Sequence, residues 1–575
     1  MNANTQQVVL ENRGQVVLRP TDHLATGGEG SVYRLNDTVV KVFIDPQKMK
    51  RDDMTDKIHT LAKICHPWIH APRGLVFDKH NQPIGYYGLY APGEGLPRFF
   101  TNDYRAQVGF GDDEASVLVD RMREVVSIAH DNKATIVDGN EYGWIADYKK
   151  GSKPEPHIVD VDSWAIDRWK ASVIMPSIID HHTRGFNSFS DWFSWGVVTF
   201  QLYTGIHPYK GLLAGFGKHD FTTRMKKNAS VFAPGVRLNR VVRDFSCIPS
   251  RLRDWYVDEF QHGKRSLPPS PFDTGVTATP SIVVQRVVVG QTTGSIKFDR
   301  LTNLTVGEHI LKVFFCGAAL TKSNRLIDLE TSKVIASSET PECEVVKTPA
   351  GWFIAERRLG KTEFYFSEGN NHKELLNLNL VTSGIFRYQN RIFAVMKEGI
   401  TELKLEKFAT PILAIGTTWQ ALTSSTKWFD GVGIQDALGA SYIIAPHGEG
   451  RLSYIRAREL DGMRPVTARG GERFITVVAA DRKGELYRLE FTFDKEYVSY
   501  KLTREEVDTP ELVLAILPKG VVATIQKDGE LKIFVPCATE RLIADRTIST
   551  DEPFFAWGNI VVLVRGGNAW KITVA

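Results

Sequence analysis

Cysteine is scarce in this 575-residue chain. There are five (Cys65, Cys247, Cys316, Cys343 and Cys537), odd in number, widely scattered and without a C-x-x-C pair. Neither a disulfide framework nor a zinc site is indicated by that spacing. The 15 histidines form no H-E-x-x-H or comparable cluster, and the neighbours His181 and His182 read as surface residues. No segment approaches 18 consecutive apolar residues, so no membrane is expected as a partner. The opening MNANTQQVVLENRGQ lacks the charged-then-apolar layout of a signal peptide, and a reducing cytoplasm is the expected compartment. Excess charge of one sign is also small, at +4. Lys149-Lys150 and Lys226-Lys227 are short runs with no interleaved aromatics, which argues against nucleic acid. Apolar content is ample: 42% over this length fills two cores.

The most informative stretch is residues 24–43, LATGGEGSVYRLNDTVVKVF. Gly27, Gly28 and Gly30 precede Val32, and Lys41 follows nine residues after that valine. Ser31 to Leu35 alternates like a strand, Asn36-Asp37 makes a turn, and Thr38 to Phe43 forms a second strand carrying Lys41. Glycines let backbone N–H groups approach phosphate oxygens, and a strand lysine supplies a point charge for them. A surface hairpin with an exposed lysine is the plainer alternative. Residues 114–130 then read as a helix ending at His130, followed by TIVDGNEYGWIAD and, after a polar tip, by HIVDVDSWAI.

These segments resemble, in order, parts of the protein kinase superfamily. The hairpin is similar to the kinase glycine-rich loop and strand lysine, with Ala25 in place of the first glycine. TIVDGNEYGWIAD sets without gaps on the catalytic loop. Asp138 falls on the catalytic aspartate, Asn140 near the phosphate-contacting lysine, and Gly143 on the metal-binding asparagine. Ile136-Val137 replace the His-Arg pair, and Gly143 has no side chain to ligate a metal. Asp160 and Asp162 resemble the metal-binding segment in the D-x-D-S-[FW] variant of bacterial and phage kinase-like proteins. The resemblance implies that they hold Mg²⁺ against nucleotide phosphates, and spacing does not choose between them. As alternatives, Asp138 is an Asx-turn residue and the two aspartates form a solvated edge.

FSDWFSWGVVTFQLYTGIHPYKG, 189–211, closely resembles a buried kinase helix whose aspartate, here Asp191, braces the catalytic-loop backbone. It also fits any buried helix with an acidic N-terminus. IPSRLRDWYVDEFQHGKRSLPPS resembles the end of a kinase C-lobe. Met54, Ile58, Leu61 and Cys65 predict a helix between Pro46 and Cys65 that should carry an acidic partner for Lys41. It offers only Asp52, Asp53 and Asp56, of which Asp56 is the weak choice. Ile84 to Leu96 reads as a strand and turn suited to an interlobe hinge. Pro176-Ser177 replaces the Pro-Glu that closes the activation segment, and Ser172 alone is placed like an activating phosphosite.

Residues 262–280 are rich in Pro, Ser, Thr and Gly and read as a linker. Beyond it, strand pairs begin at 351, 391, 440, 473, 520 and 559, with GSIKFDRL and EHILKVFF as earlier candidates. Unit lengths near forty, each with a hairpin, point to β-propeller blades, although no WD or kelch signature is present. A β-sandwich pair is the alternative.

The expected fold is an α+β bilobal kinase-like domain over 1–265 (N-lobe 1–92, C-lobe 93–265), a linker over 266–280, and an all-β propeller of six or seven blades over 281–575. The resemblance implies a serine/threonine protein kinase using ATP and Mg²⁺. Gly27, Gly28, Gly30, Val32, Lys41 and Asn140 would contact nucleotide, Asp160 and Asp162 the metal, and Asp138 with Lys41 would carry the chemistry. The propeller would recruit a protein substrate or partner. The alternatives are a pseudokinase scaffold, favoured by Gly143 and the missing His-Arg pair, and a kinase-like lid on a ligand-binding propeller.

Overall fold

Alternating apolar residues set the first sheet. In β1 (Gln6–Leu10), Val8 and Leu10 turn inward while Gln7 and Val9 face out. It is joined by β2 (Gly14–Leu18), β3 (His23–Thr26), β4 (Gly30–Leu35), β5 (Thr38–Phe43), β6 (Pro72–Phe77) and β7 (Pro83–Leu89). The seven strands are antiparallel throughout, in the order β2-β1-β6-β7-β5-β4-β3. The coordinates are a computed structural model that describes residues 5–171, 174–217, 220–273, 296–358, 361–376, 380–397, 399–407, 411–448, 450–525, 530–535, 539–543, 547–549 and 552–574. Ser172 and the expected linker residues 274–280 lie outside them.

The helix expected between Pro46 and Cys65 is two helices. Asp53, at φ +50°, separates α1 (Lys48–Arg51) from α2 (Met54–Leu61), and Cys65 lies beyond the end, exposed. Met54 and Ile58 pack with Phe43, Leu75 and Tyr86 on one face of the sheet. A mostly helical region follows, with α3 (Asn102–Val108), α4 (Asp112–Asp131), α5 (Ser188–Thr204), α6 (Phe221–Lys226) and α7 (Ser250–Phe260). Glu114 accepts the Gly111 amide and starts α4. Every residue of α5 from Ser190 to Thr204 is buried, as its all-round apolarity predicts. Short strands accompany these helices in the chain: β8 (Glu94–Gly95), β10 (Trp144–Asp147) and β11 (Glu155–Ile158) form one small sheet, β9 (Ala134–Thr135) and β12 (Ala165–Ile166) another. Residues up to 273 stay with this half, since Trp255 Nε1 donates to Ser266 and Ser270 Oγ donates to Asp120.

Among the described residues the C-terminal half is built of strands, with three single-turn 3-10 helices between them (Thr423–Ser425, Arg458–Leu460 and Pro518–Gly520). Seven open, four-stranded antiparallel sheets succeed one another: sheet 1 (310–337), sheet 2 (343–375), sheet 3 (384–420), sheet 4 (426–456), sheet 5 (464–506), sheet 6 (514–543) and sheet 7 (554–574). The fourth strand of sheet 7 is Ile296–Arg300, which pairs with Asn568–Val574. The six hairpins expected from sequence are the middle strand pairs of sheets 2, 3, 5 and 6, the last strand pair of sheet 4, and the paired strands Ile560–Arg565 and Asn568–Val574 of sheet 7. Each sheet shares an apolar cluster with the next, as with Leu320 and Val345 between sheets 1 and 2, or Phe386 and Ile444 between sheets 3 and 4. Sheet 7 in turn shares Val562 and Ala569 with Val313 and Ala319 of sheet 1.

The halves touch. Thr26 N donates to Asp436, Ser424 Oγ to the Thr21 and His23 carbonyls, and Arg469 to Asp103. Among the described residues no helix is long and apolar enough to cross a membrane.

Candidate functional site

The turn between β3 and β4 is tight, with Gly27 N donating to Gly30 O at 2.9 Å. A Cβ on Gly30 would sit 2.8 Å from the Val42 carbonyl, so only glycine lets the turn lie this close to β5. Gly27 and Gly28 face open space. Val32 pairs with Lys41 across β4 and β5, which sets the lysine beneath the turn.

Lys41 is buried and not a free surface charge. Its Nζ donates to both Asp162 oxygens at 3.0 Å and to Asp160 Oδ1 at 3.2 Å. Burial opposes the ammonium, yet the Asp162 charge outweighs it and Lys41 stays protonated well above the usual lysine range. Asp162 also accepts from the Tyr86 hydroxyl at 2.6 Å, and its carboxyl is held below the ordinary value against the cost of burial. The two aspartates that spacing could not separate therefore differ. The Asp162 side chain is 1% exposed and committed to Lys41 and Tyr86, whereas that of Asp160 is 61% exposed, on a residue with φ +57°.

The acidic partner expected on the helix after Pro46 is not there. Asp53 and Asp56 are exposed and pair with Arg168. The residue that α2 turns inward is Lys57, whose Nζ donates to the Asp162 carbonyl at 2.7 Å and whose pKa burial pulls down to about 8. Tyr86 and Lys57 are the residues that sequence reasoning missed. Lys57 follows Met54 by three positions on the buried face, which was the available signal.

The 136–143 loop is held by α5. Asp191 accepts from the amides of Ile136 (2.8 Å) and Val137 (2.9 Å) and lies 2.9 Å from His130 Nε2. These bonds secure Val137 at φ +64°, a conformation costly for a β-branched residue. Asp138 Oδ1 accepts from Met175 N at 2.9 Å. Asn140 is buried, and its Oδ1 caps the short turn at the Tyr142 amide, 2.9 Å away. Val159 N donates to Gly143 O, which joins this loop to the Asp160 turn. A Cβ on Gly143 would meet nothing nearer than Asp138 O at 3.9 Å.

The segment 175–180 closes on Asp180, not on a Pro-Glu pair. Arg265 grips Asp180 with Nε at 2.7 Å and Nη2 at 2.6 Å, and the Asp180 side chain is fully buried. Among the described residues no group of three or more His, Cys, Asp or Glu side chains is arranged to hold a metal ion. Two aspartates, one exposed, do suit a cation that keeps its waters and takes its remaining oxygens from a phosphate.

Known proteins offer little beside this geometry. No family model matches the chain, and no curated protein matches it. Among solved structures it is similar to a twitchin kinase fragment of C. elegans, described as an autoregulated protein kinase with immunoglobulin domains. Identity is 18%, the TM-score is 0.30, and the match covers 36% of this chain and 46% of that one. The chain thus spans less than half of that fragment. The likeness is weak and carries no argument about activity, substrate or partner.

Proposed function

We propose that the N-terminal half is a kinase-like domain that transfers a phosphoryl group from Mg·ATP to a serine or threonine hydroxyl of a protein. One observation carries the reading: a buried lysine beneath a glycine turn, tied to a pair of aspartates. When bound, Mg·ATP supplies the phosphoryl group and the cation that shields it. Lys41 and the glycine turn would hold phosphate oxygens, and the exposed Asp160, with Asp162 behind it, would hold the cation. Asp162 also orients the Lys41 ammonium. Asp138, fixed by the Met175 amide, accepts the proton of the attacking hydroxyl. The seven sheets are read as propeller blades that recruit the acceptor protein; their cyclic succession of shared clusters supports that arrangement.

The test is purified full-length protein with Mg²⁺ and γ-labelled ATP, with Asp138→Asn as control. The variant keeps an oxygen for the Met175 amide, so it should bind nucleotide like the native chain and lose transfer. Transfer at the native rate would make Asp138 a turn residue only.

A second reading, a nucleotide-binding scaffold without transfer, is favoured by Gly143 and by Asn140, whose amide is spent on its own loop. Gly143→Asn separates the two, since a Cβ at residue 143 meets nothing nearer than 3.9 Å. A degenerate enzyme should gain Mg²⁺ affinity or turnover severalfold. An unchanged value on both counts would leave the missing amide irrelevant.

A further inference from the structure

The middle hairpin of sheet 5 ends in the turn Asp481–Glu485, which presses on the candidate site from outside. Asp481 Oδ1 accepts the amides of Lys483 (2.8 Å) and Glu485 (3.0 Å), so the turn is preformed. At Gly484, φ +83°, a Cβ would lie 2.9 Å from both Met175 Sδ and Ser177 Oγ. Met175 is the residue whose amide holds Asp138. Beside it, Glu485 pairs with Lys210 at 3.3 Å, with side chains only 14% and 10% exposed. From the same sheet Arg464 covers the Tyr142 ring at 4.6 Å.

This contact is unfinished. Glu141 Oε2, Ser177 Oγ and Gln201 Nε2 are buried without a hydrogen-bond partner among the described residues. Their residues are 6%, 5% and 9% exposed, and all three line the small cavity that Gly484 and Glu485 close. Unpaired buried polar atoms are costly, and a surface evolved only to seat this turn would satisfy them. The turn itself, Asp-Arg-Lys-Gly-Glu, contains no hydroxyl and is no acceptor.

We propose that the Asp481–Glu485 turn holds the place of an acceptor polypeptide, and that Lys210 selects an acidic side chain in that polypeptide where Glu485 now sits. The groove between the 138–143 loop, segment 175–178 and Lys210 then takes an acidic protein segment that carries a serine or threonine. The acceptor's chemical fate rests on the phosphotransfer reading; its binding does not.

Fluorescein-labelled nine-residue peptides test this, each with one serine in an Ala/Gly background and three Glu, three Lys or three Ala on one flank. Anisotropy is read with the full-length chain and no nucleotide. Glu485→Gln should bind the Glu peptide at least fivefold tighter than the native chain, because its turn no longer competes for Lys210. Lys210→Met should bind Glu and Ala peptides alike. Equal affinity of Glu485→Gln for Glu and Lys peptides would overturn the proposal, as would a Glu preference that survives Lys210→Met. With γ-labelled ATP added, a Glu peptide that binds through Lys210 yet is never labelled sinks phosphotransfer and leaves the groove standing. Labelling of all three peptides at one rate does the reverse.

Discussion

At the scale of single residues, Lys41 decides the most. An exposed lysine costs little to remove, but Lys41 neutralises Asp162, a carboxylate with a 1% exposed side chain. Lys41→Ala is therefore expected to lose about 3–5 kcal/mol of stability, the usual cost of stranding one member of a buried pair. Lys41→Met combined with Asp162→Asn should cost clearly less than the sum of the two single changes. Urea unfolding of the four proteins gives the coupling directly. An additive result would mean that the pair contributes nothing, and that Tyr86 and Lys57 suffice to hold Asp162. A nucleotide-binding deficit in any Lys41 variant has to be read beside its melting curve.

At the scale of elements, helix α7 and the chain after it lock segment 175–180. Glu259 of α7 lies in that lock, its side chain 1% exposed and its Oε1 3.4 Å from Arg265 Nε. Burial raises its pKa to about 8, against the pull of Arg265 and with a further push from Asp180. A carboxyl with a raised folded-state pKa binds a proton in the fold that the unfolded chain has released. Its contribution to stability therefore falls as pH rises from about 4.5 to about 8, by at most about 1.4 kcal/mol per unit. Glu259→Gln should remove that slope, and melts between pH 5 and 8 would show it. A native profile unchanged by the substitution would place the titration elsewhere.

Elements were legible in sequence where local pattern decides them. The β4–β5 hairpin with Lys41, the all-round apolar α5 with Asp191, and the 40-residue spacing of hairpins all follow from periodicity and turn residues. What stayed hidden depends on partners distant in the chain. Lys57 looks like any helical lysine until α2 packs beside residue 162. Tyr86 looks like a strand aromatic until its hydroxyl meets Asp162. Asp180 looks like a loop acid until Arg265, 85 residues on, arrives to grip it. The Lys41 partner was sought on the wrong element because a short acidic side chain on α2 faces solvent here and pairs with Arg168.

At the scale of the whole molecule, the seven sheets stand or fall together, because each buries its faces against its two neighbours. Removal of residues from 559 onward takes two strands from sheet 7 and leaves Ile296–Arg300 without its partner. The C-terminal half should then unfold as a unit, and limited proteolysis should clear it while sparing 5–273. Survival of a protease-resistant core of sheets 2 to 5 would show that the sheets are independent.

The same strand pairing sets a clock on biosynthesis. Ile296–Arg300 leaves the ribosome about 270 residues before Asn568–Val574. At about 5–20 residues per second it waits roughly 15–55 s with no partner along either edge. Its sequence, Ile-Lys-Phe-Asp-Arg, places three charges in five positions, and charged edges discourage wrong pairing with a neighbouring nascent chain. The strand that completes the last sheet is thus also the one that has to survive longest in the open.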